Sequence, residues 1–153
     1  GPKESVVFNT LTDWITSEDP RIKYYSGTAD YTNTFTIKEI PSQPTYINLG
    51  KVVAMAKVYL NGKYVGGAWT YPYRLNITDY LQKGENTVKI EVVNNWVNRL
   101  IGDLKLPAEQ RSTWTMVNPW RDDSQLQSSG LFGPVRIESH DYELLKFSPL
   151  SDN

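Results

Sequence analysis

Cysteine is absent from this chain of 153 residues, which removes disulfides, Cys-ligated zinc and thiol nucleophiles while leaving the compartment open. Histidine is nearly absent too. His140 stands alone, so there is no histidine-based zinc pattern, and a lone histidine most often serves on the surface or as a core hydrogen-bonder. Charge of one sign is lacking: 16 Lys plus Arg face 17 Asp plus Glu for a formal charge of -1. With no basic run to neutralise a row of phosphates, a nucleic-acid partner is excluded. No apolar stretch reaches the roughly 18 residues of a membrane span, and no amphipathic helix is long enough to lie on a bilayer. What the chain does have is aromatic residues, 5 Trp and 10 Tyr, of the kind that pack on sheets. The length suits one domain with a core that needs no staples. We read residues 3–153 as that domain and the opening Gly1-Pro2 as the scar of an expression-tag cleavage.

The dominant period is two. From Asp30 to Ile37, Tyr31, Asn33, Phe35 and Ile37 alternate with Thr32, Thr34 and Thr36, as a strand with one inward face requires. After a loop at Pro41–Pro44, Tyr46–Leu49 reads as a short strand. Val53–Leu60 reads as a longer one, and Asn61-Gly62 as the two-residue turn of a hairpin returning through Tyr64 and Val65. Tyr73–Ile77 is the next strand, Asp79-Tyr80-Leu81 a short turn of helix, and Lys83–Asn86 a turn. Val88–Val92, Val135–Glu138 and Tyr142–Phe147 complete the strands. Asn76-Ile77-Thr78 fits an N-glycosylation pattern but sits where a turn is expected, and we read it as the turn. Between Trp96 and Ser129 the pattern dissolves into a stretch too long for an ordinary connection. No window sustains a helical period. The expectation is an all-β antiparallel sandwich or jelly roll, with a small barrel as its competitor.

Specific residues sharpen this. Lys23–Tyr31, Phe35, Leu49-Gly50, Val58–Lys63 and Gly66 are followed in order by Trp69, Pro72-Tyr73, Asn76–Thr78, Leu81, Gly84–Asn86 and Ser129–Val135. The set resembles the sugar-binding-type domain of glycoside hydrolase family 2. Asn94-Asn95-Trp96-Val97-Asn98-Arg99-Leu100-Ile101-Gly102-Asp103 is similar to a signature of the β-sandwich at the end of family 106 rhamnosidase-like enzymes, a closer resemblance still. The resemblance implies a galactose-binding-like jelly roll, covalently linked in its parent to a catalytic domain that degrades glycans and exported by a bacterium. In the family 2 β-galactosidases, an Asp a few residues before the Ser-Gly-Ile-Phe segment helps hold sugar at the neighbouring catalytic site. The aligned position here is Ser124, with Asp122 and Asp123 just before it.

A carbohydrate ligand needs flat aromatic faces and polar groups for its hydroxyls, usually on loops. Three clusters offer both. The first is Trp69, Tyr71 and Tyr73 around Pro72, where Trp69 and Tyr73 have the alternative role of capping the core. The second is Trp96, Asn98, Arg99 and Asp103, where Arg99 and Asp103 have the alternative of a structural ion pair. The third is Trp114, Trp120, Arg121, Asp122 and Asp123. A structural calcium is a further candidate, with Glu18, Asp19 and Asp30 near the start and Glu138 and Asp141 near the end. Asp103, Glu109, Asp122 and Asp123 are the carboxylates available to a small glycan-active catalyst. The reading is a non-catalytic module binding plant-type polysaccharide, against the alternatives of a purely structural domain and that catalyst.

Overall fold

The computed structural model describes residues 1–2 and 4–139. Nine strands are among them: β1 (Gly27–Ile37), β2 (Thr45–Asn48), β3 (Lys51–Val52), β4 (Met55–Leu60), β5 (Lys63–Ala68), β6 (Arg74–Asn76), β7 (Gly84–Asn94), β8 (Leu131–Gly133) and β9 (Arg136–Ser139). They form a four-stranded sheet ordered β1-β7-β4-β5, a three-stranded sheet ordered β6-β2-β9, and a β3-β8 pair. Every named strand pair is antiparallel. Alternation builds the core: Ala56, Val58 and Leu60 of β4 and Val88, Ile90 and Val92 of β7 point inward, against Ile47 of β2, Leu49 just after it, and Leu131. This is the expected all-β sandwich. Among the described residues no helix is long and apolar enough to cross a membrane.

The expected turn at Asn61-Gly62 closes the β4-β5 hairpin, with Leu60 opposite Lys63 and φ of 52° and 78° at the two turn residues. That left-handed pair matches the twist of the strands it joins. Asn61 does more than turn the chain. Its Nδ2 donates to the Tyr80 carbonyl and to Asn86 Oδ1, and its Oδ1 accepts from the Thr87 amide. Asn86, fully buried, also accepts from the Gln82 amide and donates to the Gln82 and Gly84 carbonyls. The two asparagines thus satisfy the backbone at one end of the sandwich from within.

Three features differ from expectation. The strand from Val53 is interrupted because Ala54 adopts φ 68°, a left-handed conformation that cannot continue a ladder. Lys83–Asn86 turns earlier than expected, and β7 already runs from Gly84, opposite Ile37. The third correction concerns helix. Val97–Leu104 forms a two-turn helix, α2, and Pro20–Lys23 a shorter one, α1, capped by Asp19 with Pro20 at its first position. Val97, Leu100, Ile101 and Leu104 have helical spacing, but over eight residues that is too short a run for periodicity to stand out. The expected strand Tyr142–Phe147 lies outside the described residues, as do His140 and Asp141.

The Ser129-Gly130-Leu131-Phe132-Gly133-Pro134 run serves architecture. A Cβ on Gly130 would sit 2.6 Å from Trp14 Nε1, so only glycine lets the buried indole close over this strand. The Trp14 amide donates to the Ser129 carbonyl, Asp13 Oδ1 accepts from the Ser129 amide, and Tyr31 Oη accepts from both Trp14 Nε1 and the Leu131 amide. The segment before β1 is thereby fastened to β8. Burial holds the Tyr31 hydroxyl above the usual phenol range, although these two donors act in the opposite sense.

Candidate functional site

β5 and β7 run parallel to each other across β4, and Ala68, Ala56 and Val92 share one row of the sheet. Trp69 follows β5 and Trp96 follows β7 at the same end, on strands that lie two positions or about 10 Å apart. The three sequence clusters therefore emerge from a common end of the sandwich, or are tied to it through α2. Their side chains have different fates.

In the first cluster Trp69 and Tyr71 are 66% and 85% exposed, while Tyr73 is half-buried and packs on the core. The core-capping role falls to Tyr73 and not to Trp69.

The second cluster is an anchor for the long loop. Asn98 is fully buried; its Nδ2 donates to the Gln127 carbonyl at 2.6 Å and its Oδ1 accepts the Gln127 amide at 2.8 Å. Asp103, 3% exposed, accepts from the Ser112 and Thr113 amides and both hydroxyls, and lies 3.5 Å from Arg99 Nε. Burial pushes its carboxyl up, but the Thr113 hydroxyl and amide, Arg99 and Ser112 outweigh that and hold it below the ordinary value. Arg99 also donates to Ser112 Oγ. Asn98 and Asp103, proposed from sequence as ligand-facing, are thus committed to the chain's own backbone. The structural ion pair is the arrangement observed. Of this cluster Trp96 is exposed. Gly102 completes the anchor, since a Cβ there would stand 2.5 Å from the Tyr24 ring.

α2 so pins the loop at Ser112–Thr113 and at Gln127, and Lys105 donates to the Asp122 carbonyl between them. What the pins leave outside is apolar. Trp114, Met116 and Val117 are 83%, 86% and 76% exposed, with Leu106 also exposed. Trp120 is half-buried, with its amide on Asn118 Oδ1. Arg121 and Ser124 close a turn on each other that carries exposed Asp122 and Asp123. Ser112, Thr113 and Gln127 were not anticipated; an Asp ten residues from a Ser-Thr pair is a common enough pattern to carry no signal.

The calcium candidates are scattered. Asp19 caps α1 and pairs with Arg21, whose hydrogen bonds keep it below the usual carboxylate range. Asp30 lies 3.8 Å from Lys89, and Glu138 lies beside Arg74 and Asn48. Glu18, directly before Asp19, is exposed. Among the described residues no three His, Cys, Asp or Glu side chains converge, and the fifth candidate, Asp141, lies outside them. A cleft of about 900 Å³ opens between the segment before α1 and β1. Its lining is largely apolar and includes no aromatic of the three clusters.

The family described as "Glycosyl hydrolase 2 galactose-binding domain-like" matches residues 8–126. A Formosa agariphila protein named as a β-glucuronidase is 37% identical over 86% of this chain and 14% of its own length. A β-galactosidase of Priestia megaterium is 31% identical over 95% of this chain and 13% of its own. Among solved structures, a rhamnosidase from Novosphingobium sp. PP1Y superposes with a TM-score of 0.77 at 43% identity, over 83% of this chain and 12% of that one. The chain belongs to the glycosyl hydrolase 2 galactose-binding domain-like family. It spans about an eighth to a seventh of the length of these relatives.

Proposed function

We propose that this domain serves a bacterial, exported, polysaccharide-acting glycosidase as a non-catalytic module that packs against a covalently linked catalytic domain through the loop following α2. The observation that carries this is the run Trp114-Thr115-Met116-Val117, exposed although three of its four residues are apolar and the loop is pinned on both sides. Contiguous apolar surface on an ordered scaffold marks an interaction site. Asp122 and Asp123 lie on the same loop, where a neighbouring active site would meet them. Asp103 is unsuited to general-acid chemistry, being held ionised with its oxygens occupied. The test is reconstitution with the separately expressed remainder of the parent enzyme, followed by analytical ultracentrifugation. The domain should form a stable complex, and Trp114→Ser with Met116→Ser should dissolve it. A remainder that never associates with the domain would sink this reading.

A second reading, that the domain also holds carbohydrate non-covalently, is favoured by Trp69 and Tyr71, which stay exposed outside that loop. Retardation of the domain in gels containing rhamnogalacturonan, galactan, arabinan, xylan or β-glucan tests it, and migration unchanged in all five would dismiss it.

A further inference from the structure

A second exposed aromatic surface lies on the outer face of the four-stranded sheet. With Ala56, Val58 and Leu60 buried, β4 turns Lys57 and Tyr59 outward. With Val88, Ile90 and Val92 inside, β7 turns Lys89 and Glu91 outward. The hairpin turn sets Tyr64 opposite Tyr59, and an irregularity between Val58 and Tyr59 in the β4-β5 ladder then sets Gly67 opposite Lys57. Gly67 leaves the face bare. The place its Cβ would occupy is 3.4 Å from Trp69 Cζ3 and 3.6 Å from Tyr64 Oη. Trp69 therefore leans back over the sheet, and it and Tyr64 flank one point. Both are more than half exposed. Tyr59 lies 5.4 Å from Tyr64 between ring centroids and carries Lys89 Nζ 4.4 Å from its own centroid.

Around these rings stand two cations and two anions. Lys89 is 2.7 Å from Glu91 and 3.8 Å from Asp30, and Lys57 is 3.9 Å from Glu91. The core of a protein interface is depleted of Lys, Glu and Asp, so this face is poorly made for a protein partner, unlike the apolar loop. A balanced charge set equally disfavours a polyanion or a polycation. Flat rings bordered by donors and acceptors of both kinds suit a polyol with apolar C–H faces.

We propose that this face is a platform for a neutral oligosaccharide, with Trp69 and Tyr64 stacking on pyranose rings and Lys57, Glu91 and the Tyr64 hydroxyl meeting sugar hydroxyls. It rests on the carbohydrate-binding reading above and gives that reading a place and a ligand class. The test is calorimetric titration of the whole chain with neutral galacto-, xylo- and gluco-oligosaccharides and, in parallel, with oligogalacturonate. One neutral series should bind. Trp69→Ala should weaken it about tenfold, near the upper end of what one aromatic contact is worth. Gly67→Val gives an independent check: a β-branched residue suits the strand, circular dichroism reports the fold, and its methyl groups push the indole off its seat and weaken binding similarly. Trp114→Ser should bind as the parent chain does. Binding that survives Trp69→Ala and Gly67→Val but is lost in Trp96→Ala or Trp120→Ala would overturn the platform and leave the carbohydrate reading standing. Preference for oligogalacturonate would overturn the ligand class. No binding to any sugar would end both.

Discussion

Two regions of this domain combine the same kinds of residue and behave oppositely. Trp96, Asn98, Arg99 and Asp103 combine an aromatic with an amide, a guanidinium and a carboxylate. So, once folded, do the rings of Trp69 and Tyr64 with Lys57, Lys89 and Glu91. Around α2 the polar groups are buried and used up on Gln127, Ser112 and Thr113. On the sheet face Lys57, Lys89 and Asp30 stay accessible and Glu91 is partly so, and these groups pair with one another within and across strands. A buried polar group must find a partner inside the protein, so the α2 set can order a loop but has little left to offer a ligand. The surface set contributes little to stability and is correspondingly free to bind.

That contrast can be broken in order of expected effect. Asp103→Ala strands two amides and two hydroxyls around Arg99, and should lower unfolding stability by about 3 kcal/mol in a urea titration. Asn98→Ala leaves the Gln127 amide and carbonyl unpaired, for a loss of about 2 kcal/mol in the same titration. A milder route to the same site is acid. Because the folded Asp103 carboxyl lies below its ordinary value of 3.8, its contribution is intact above that pH and disappears as pH falls through the folded value. Denaturation midpoints measured from pH 5 downward, about the window for a paired carboxylate, should therefore fall more steeply for the parent chain than for Asp103→Asn. The smallest effect belongs to the exposed aromatics. Trp69→Ala and Trp114→Ser should each shift stability by no more than about 0.5 kcal/mol. A loss from Trp69→Ala as large as that from Asn98→Ala would show the supposed platform to be structural, and the contrast would collapse.

Much of the fold was legible in the residues. Alternation in β1, β4 and β7 and the Asn61-Gly62 turn were enough for antiparallel hairpin architecture, because side-chain period and left-handed turn residues are local properties. α2 escaped because two turns supply only four periodic positions. The role of Gly130 escaped because the group it admits, Trp14, is more than a hundred residues away in the chain. The candidate site was legible only in part. Trp69 and Tyr71 were singled out and are exposed; Asn98 and Asp103 were singled out and are buried. Tyr64 was read only as part of the returning strand and not as a ligand residue, although the turn that was recognised already implies that Tyr59 and Tyr64 face each other.

By itself the sequence determined most of the strands, the hairpin and the absence of any cysteine chemistry, since each follows from residue type and near-neighbour spacing. Tertiary structure alone decided which polar residues were consumed and which were left to solvent. Burial and hydrogen-bond satisfaction depend on what the folded chain brings alongside each group, and for Asn98 that is Gln127, for Asp103 Ser112 and Thr113, and for Gly67 the indole of Trp69.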